Sequence, residues 1–199
     1  MHSFDPATHL QEPALQELYS PSRIFTWPEL QSMALDGILR PLYGKSYAAP
    51  GVATTPRLRA RAAALTVPAR MRTKVVAGRL TAAWIYGCAA PPERLSLLVD
   101  AKHRISSLRG ARDCSLHEVK LGQMDVVSLG GMLVSSPLRT AADIALHIEE
   151  ERALPALFSL LARPDLGVRL RLLTLAVEAA PRVPHKKRAL STLAALGQR

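Results

Sequence analysis

Hydrophobic positions along the chain recur at two spacings, and the switches between them mark out its elements. Leu10, Ala14, Leu15 and Leu18 fall on one helical stripe within residues 6–20, with Pro13 as a start signal, which predicts a short first helix. A second helix is predicted from Thr26-Trp27-Pro28-Glu29. Thr26 suits the cap, Glu29 follows three residues on and Pro28 sits in the first turn. Its apolar positions are Leu30, Met33 and Ala34, and Gly37 ends it. Two β-prone pieces around Gly44, spanning Ile38 to Ala48, read as a hairpin.

Further along, Thr55-Pro56 opens a helix through Leu58, Ala62 and Leu65 that stops before Pro68. Leu80 to Gly87 is a short helix closed by glycine, and Leu95–Val99 and Leu116–Leu121 read as strands. Two runs flank Gly130-Gly131, from Asp125 to Leu129 and from Met132 to Ser135, as a two-residue hairpin demands. Ser136-Pro137 caps a helix predicted to reach about Glu151, with Leu138, Ala141, Ala142, Ile144 and Ala145 on its buried side. From Leu154 onward the leucine spacing is helical throughout. The fold class expected is therefore mixed α/β, with a helical C-terminal part.

Charge changes the picture more than composition does. The 199 residues carry a formal charge of +10, which favours polyanionic partners. Met1 to Asp36 holds five acids and one base, whereas Gly37 to Pro92 holds nine bases and no acid. Fifty-six residues without a carboxylate cannot balance their potential locally and are expected to form a basic face. With 48% hydrophobic residues a real core is affordable, so wholesale disorder is not expected. Cys88 and Cys114 stand far apart without paired neighbours, which indicates neither a disulfide framework nor a zinc site. The polar N-terminus does not read as a signal peptide, and the apolar runs are too short for a membrane span. A cytoplasmic protein with no membrane partner is expected.

Helix, helix and basic, aromatic hairpin is the order of a winged helix-turn-helix, placed at residues 1–50, with a second domain over 51–199. The order of elements resembles the AbiEi-type antitoxins, the transcription-repressing half of bacterial type IV toxin–antitoxin pairs. Four landmarks carry the resemblance: Gly37-Ile-Leu-Arg40 with Tyr43-Gly44-Lys45-Ser46-Tyr47-Ala48; Thr81-Ala-Ala-Trp84-Ile-Tyr-Gly87; Leu95-Ser-Leu-Leu-Val99 with a basic stretch after it; and Gly131 through Ser136-Pro-Leu-Arg139-Thr140-Ala-Ala-Asp143-Ile-Ala. They span roughly residues 23–147. The N-terminal module departs from the pattern, since its first helix is short and acidic and its second lacks the usual basic residues. The resemblance implies a winged helix followed by an α/β antitoxin domain. It also implies repression of the protein's own operon and counteraction of a nucleotidyltransferase-like toxin, directly or functionally.

On that reading the partner is double-stranded operator DNA, and neither cofactor nor metal is called for. Arg40 and Lys45 flank the hairpin and suit phosphates, while Tyr43, Ser46 and Tyr47 offer hydroxyls to the backbone. Trp27, Gln31 and Ser32 are the candidates of the second helix, and the Gln31 amide can read adenine edges. Arg57 and Arg61, four apart on one helix face, are further phosphate contacts, whereas Arg59 between them points elsewhere.

One enzymatic pattern competes. Asp100 ends a predicted strand and Glu118-Val-Lys120 lies on another, the residue types by which Mg²⁺-dependent nucleases hold metal and water. The six histidines show no ligand spacing, and phosphate-loop, dinucleotide and nucleophile-elbow motifs are lacking. Arg139 and Asp143, four apart on a helix, are expected to pair with each other rather than act in catalysis.

Overall fold

The structure is a computed structural model that describes residues 17–101, 113–181 and 184–198. The chain is mixed α/β and divides into two compact units, Met1–Ala53 and Thr54–Arg199, three residues beyond the expected boundary.

The first unit contains β1 (Leu18–Tyr19), α1 (Trp27–Leu35), β2 (Arg40–Tyr43) and β3 (Ser46–Ala48). The strands form an antiparallel sheet in the order β1-β3-β2, so β3 is the middle strand. Helix α1 starts and stops where the sequence says it should. The Glu29 carboxylate accepts both the Thr26 amide (2.6 Å) and the Thr26 hydroxyl (2.8 Å), and Gly37 turns the chain away at φ +74°. Leu30, Leu39 and Tyr47 make a small core, with Tyr19, Phe25, Met33 and Ala34 around it. The predicted first helix lies mostly outside the described residues. Its described end departs from expectation: Leu18 belongs to a strand, paired to Ala48. Partnering with β3 outweighs the helical spacing of so short a segment.

The second unit holds α2 (Pro56–Thr66), β4 (Val76–Ala77), α3 (Arg79–Tyr86), β5 (Leu95–Asp100), β6 (Cys114–Val119), β7 (Val126–Leu129) and β8 (Met132–Ser135). Helices α4 (Pro137–His147), α5 (Glu150–Leu161), α6 (Leu170–Ala179) and α7 (Lys186–Leu196) complete it. The sheet order is β6-β5-β4-β8-β7. Strands β5 and β6 run parallel, as do β4 and β8, while β4–β5 and β7–β8 are antiparallel. The Gly130-Gly131 turn has φ of +57° and +79°, both in the left-handed region a two-residue hairpin requires. Helix α2 packs on this hairpin, and α4 touches α3, α5, α6 and α7.

One boundary and one element differ from expectation. The helix predicted to run from Pro137 to about Glu151 ends at His147, because Ile148 and Glu149 are extended, and α5 begins at Glu150. Strand β4 was not anticipated at all. Only Val76 and Ala77 join the ladder, too few for any period to show.

Candidate nucleic-acid interface

Within the first unit, α1 turns Leu30 inward and leaves Trp27, Gln31, Ser32 and Leu35 outside. Lys45, exposed at the tip of the β2–β3 hairpin, stacks its ammonium 4.8 Å above the Trp27 ring. This cation–π contact joins hairpin to helix and leaves Gln31 and Ser32 open beside it. Arg40 and Tyr43 are half-buried, and the Arg40 guanidinium donates to the Val52 carbonyl at 2.9 Å.

Two expected contact residues are corrected. Ser46 and Tyr47 are 2% and 5% exposed, because they lie on the middle strand of the sheet with Tyr47 in the core. Neither residue leaves surface enough for a phosphate to rest on. The outer side of α1 also shows what charge counting missed. Leu35 is 89% exposed, and Ile24 and Ile38 are exposed nearby in sequence. Glu29 and Asp36 are the charges of this stretch, so the helix itself offers no cation to a phosphate.

Arg57 and Arg61 belong to the second unit. Arg57 is exposed and Arg61 half-buried on α2, while Arg59 between them lies along the backbone of Gly87, as the two-residue stagger implies. Past α2, Arg70 and Lys74 are exposed in the connection to β4. Lys45, Arg57, Arg70 and Lys74 have no ion pair to a described carboxylate. Arg70 and Lys74 were not singled out as contacts, although both lie in the acid-free stretch. Two other bases of that stretch serve the fold. The Arg72 guanidinium donates to the Val67 carbonyl at 3.0 Å, and Arg79 reaches His117 at 3.2 Å.

Charge divides unevenly between the units. Residues 1–53 contain three bases and five acids, and residues 54–199 contain twenty-three bases and eleven acids. The positive potential therefore resides in the second unit, and of the acid-free stretch only Arg40 and Lys45 fall in the first.

The motif residues of the second unit are mostly internal ties. The Thr81 hydroxyl accepts the Ser96 amide at 2.8 Å, fixing α3 to β5. The Tyr86 hydroxyl donates to the Ser135 carbonyl at 2.7 Å, and burial pushes its ionisation far above the ordinary range. Ser135 and Thr140 bond hydroxyl to hydroxyl at 2.7 Å. Arg139 donates from Nε to both Asp143 oxygens at 3.0 Å and from Nη1 to Asp125 at 2.8 Å, the expected pair with one partner more. Burial raises the Asp143 carboxyl against the pull of Arg139. In the C-terminal basic stretch, Arg188 bonds Glu149 and the Ile148 carbonyl, and Lys186 bonds the Ala180 carbonyl at 2.8 Å. The basic stretch expected after β5 lies outside the described residues.

The nuclease constellation is not assembled. In the parallel β5–β6 register Asp100 pairs with Val119, and Glu118 with Val99. Partners across a ladder point to one face and neighbours along a strand to opposite faces. Asp100 and Glu118 therefore project from opposite sides of the sheet and cannot share one ion. Among the described residues, no group of three or more His, Cys, Asp and Glu side chains converges as a metal site. No family model and no characterised protein matches this chain.

Proposed function

We propose that the chain is a cytoplasmic DNA-binding regulator of transcription, acting as the antitoxin of a type IV pair that represses its own operon. The observation that supports it best is the set of exposed bases without described carboxylate partners, Lys45 in the first unit and Arg57, Arg70 and Lys74 in the second. A helix beside a three-stranded antiparallel sheet, with a hairpin tipped by Lys45, is compatible with the sheet half of a winged helix. On this reading α1 offers Gln31 and Ser32 to base edges, and the exposed bases of the second unit are a phosphate-contacting surface of their own. Among the described residues no helix is long and apolar enough to cross a membrane.

A salt titration tests the reading. Fluorescence polarisation of the full chain on a labelled duplex is expected to show log affinity falling linearly with log salt, by about 0.9 per phosphate neutralised. A slope near zero, or no duplex binding at low salt, would overturn it. The antitoxin part is tested by co-expression with a nucleotidyltransferase-like toxin that arrests growth: restored growth is expected, and continued arrest would overturn that part.

A further inference from the structure

A half-open cavity of about 680 Å³ lies within the second unit, between the start of β5 and β6, the first turn of α5 and the loop from Cys88 to Arg94. Its size suits a small organic molecule. Ser96 and Ser115 stand opposite each other in the parallel register, so both side chains leave the sheet on the same face, and both line the cavity. Most of the remaining wall is apolar, with Pro91, Pro92, Ile148 and Pro155 among it.

The polar side is poised for a negative charge. The Ser115 hydroxyl has two weak internal partners, the Leu95 carbonyl at 3.4 Å and His117 Nε2 at 3.3 Å. His117 Nε2 also meets Arg79 Nη1 at 3.2 Å, and a guanidinium only donates, so this nitrogen is the acceptor and the ring is neutral. Its lone pair is thereby engaged, and the Ser115 proton is held only by the long 3.4 Å bond to the Leu95 carbonyl, a weak bond that a ligand oxygen can replace. Burial and the Arg79 charge agree with this, holding the His117 ionisation down to about 4. Behind the pair, Arg79 Nε is buried without a partner among the described residues, and Arg79 adopts φ +53°, a left-handed backbone costly for a residue with a Cβ. At the rim, Arg152 is exposed with no described carboxylate partner, and Arg94 and Glu93 add one charge of each sign.

We propose that this cavity binds a small organic anion, its carboxylate or phosphate resting on the Ser96 and Ser115 hydroxyls and Arg152, its apolar body against the proline wall. Two cations, Arg94 and Arg152, line the cavity against one carboxylate, Glu93, and the mostly apolar wall gives a fully charged ligand no reason to lie along it.

Isothermal titration of the full chain with benzoate, phenyl phosphate, benzyl alcohol and inorganic phosphate tests this. At least one of the two aromatic anions is expected to bind tenfold or more tighter than benzyl alcohol and than inorganic phosphate, and which anion wins names the headgroup. Arg152→Gln and Ser115→Ala are each expected to weaken that binding three- to tenfold, with Arg171→Gln, outside the cavity on α6, leaving it unchanged. Equal binding of benzyl alcohol, binding of neither anion, or an equal loss in Arg171→Gln would overturn the proposal. Unchanged binding in both cavity variants would do the same.

Discussion

The two units of this chain solve opposite problems. The first is small, with five acids to three bases and a core of Leu30, Leu39 and Tyr47, yet it carries the helix and hairpin on which the proposed base contacts rest. The second is large, densely cored and strongly basic, but its motif residues are mostly spent holding helices to strands. Shape and charge are thus carried by different parts of the chain. A net charge says that a polyanion is favoured; only its distribution says which surface is favoured.

The sharpest break between the units is expected in their cores. Leu30→Ala removes a fully buried side chain that packs with Leu39 and Tyr47, and about 3–4 kcal/mol should be lost. Denaturation followed at Trp27 and at Trp84 separately should show the first unit melting early and the second unmoved. A single shared transition would mean that the units are not independent in stability.

In the second unit, Gly130→Ala should cost about 2–3 kcal/mol, since its new methyl would run into the Arg57 carbonyl in a left-handed backbone. Gly131→Ala has the same handedness but open space, and about 1 kcal/mol is expected. Equal urea midpoints for the two would show that α2 does not press on the hairpin.

Charge removal sharpens the contrast in function. Replacing Arg57, Arg70 and Lys74 together by Gln should reduce the salt slope by up to about 2.7, whereas Lys45→Gln should change it by at most about 0.9. The reverse ranking in polarisation titrations would return the phosphate grip to the first unit.

The smallest effect is a pH dependence. His117 stays neutral in the fold down to about 4, while the unfolded ring protonates near its ordinary value of 6.5. Between those values the unfolded chain binds more protons, so stability is complete above about pH 6.5 and declines as pH falls towards 4. Allowing for solvent screening of a partly exposed ring, about 1 kcal/mol should be involved. His117→Gln should flatten that part of the melting-temperature profile relative to the parent.

Much of the fold was legible because its signals are local. The Thr26–Glu29 start, the glycine ends of α1 and α3 and the Gly-Gly hairpin all depend on residues within a few positions. What escaped depends on partners distant in sequence. Leu18 is a strand residue because Ala48 pairs with it, and Val76 because Leu98 and Leu133 do. The candidate interface was half legible for the same reason. Trp27, Gln31, Ser32 and Lys45 were placed outside by helix phase and hairpin position. Ser46 and Tyr47 were lost to burial, which follows from β3 being the middle strand. Period alone does not reveal that order.

Strand β4 has a consequence for how the protein is made. Its two residues are the seam of the larger sheet, meeting β5 on one edge and β8 on the other. Until Leu133 and Val134 have emerged from the ribosome, that seam has one open side. The second unit must therefore wait for distant chain before it closes, and its amide protons at Val76 and Ala77 should be among the last to exchange.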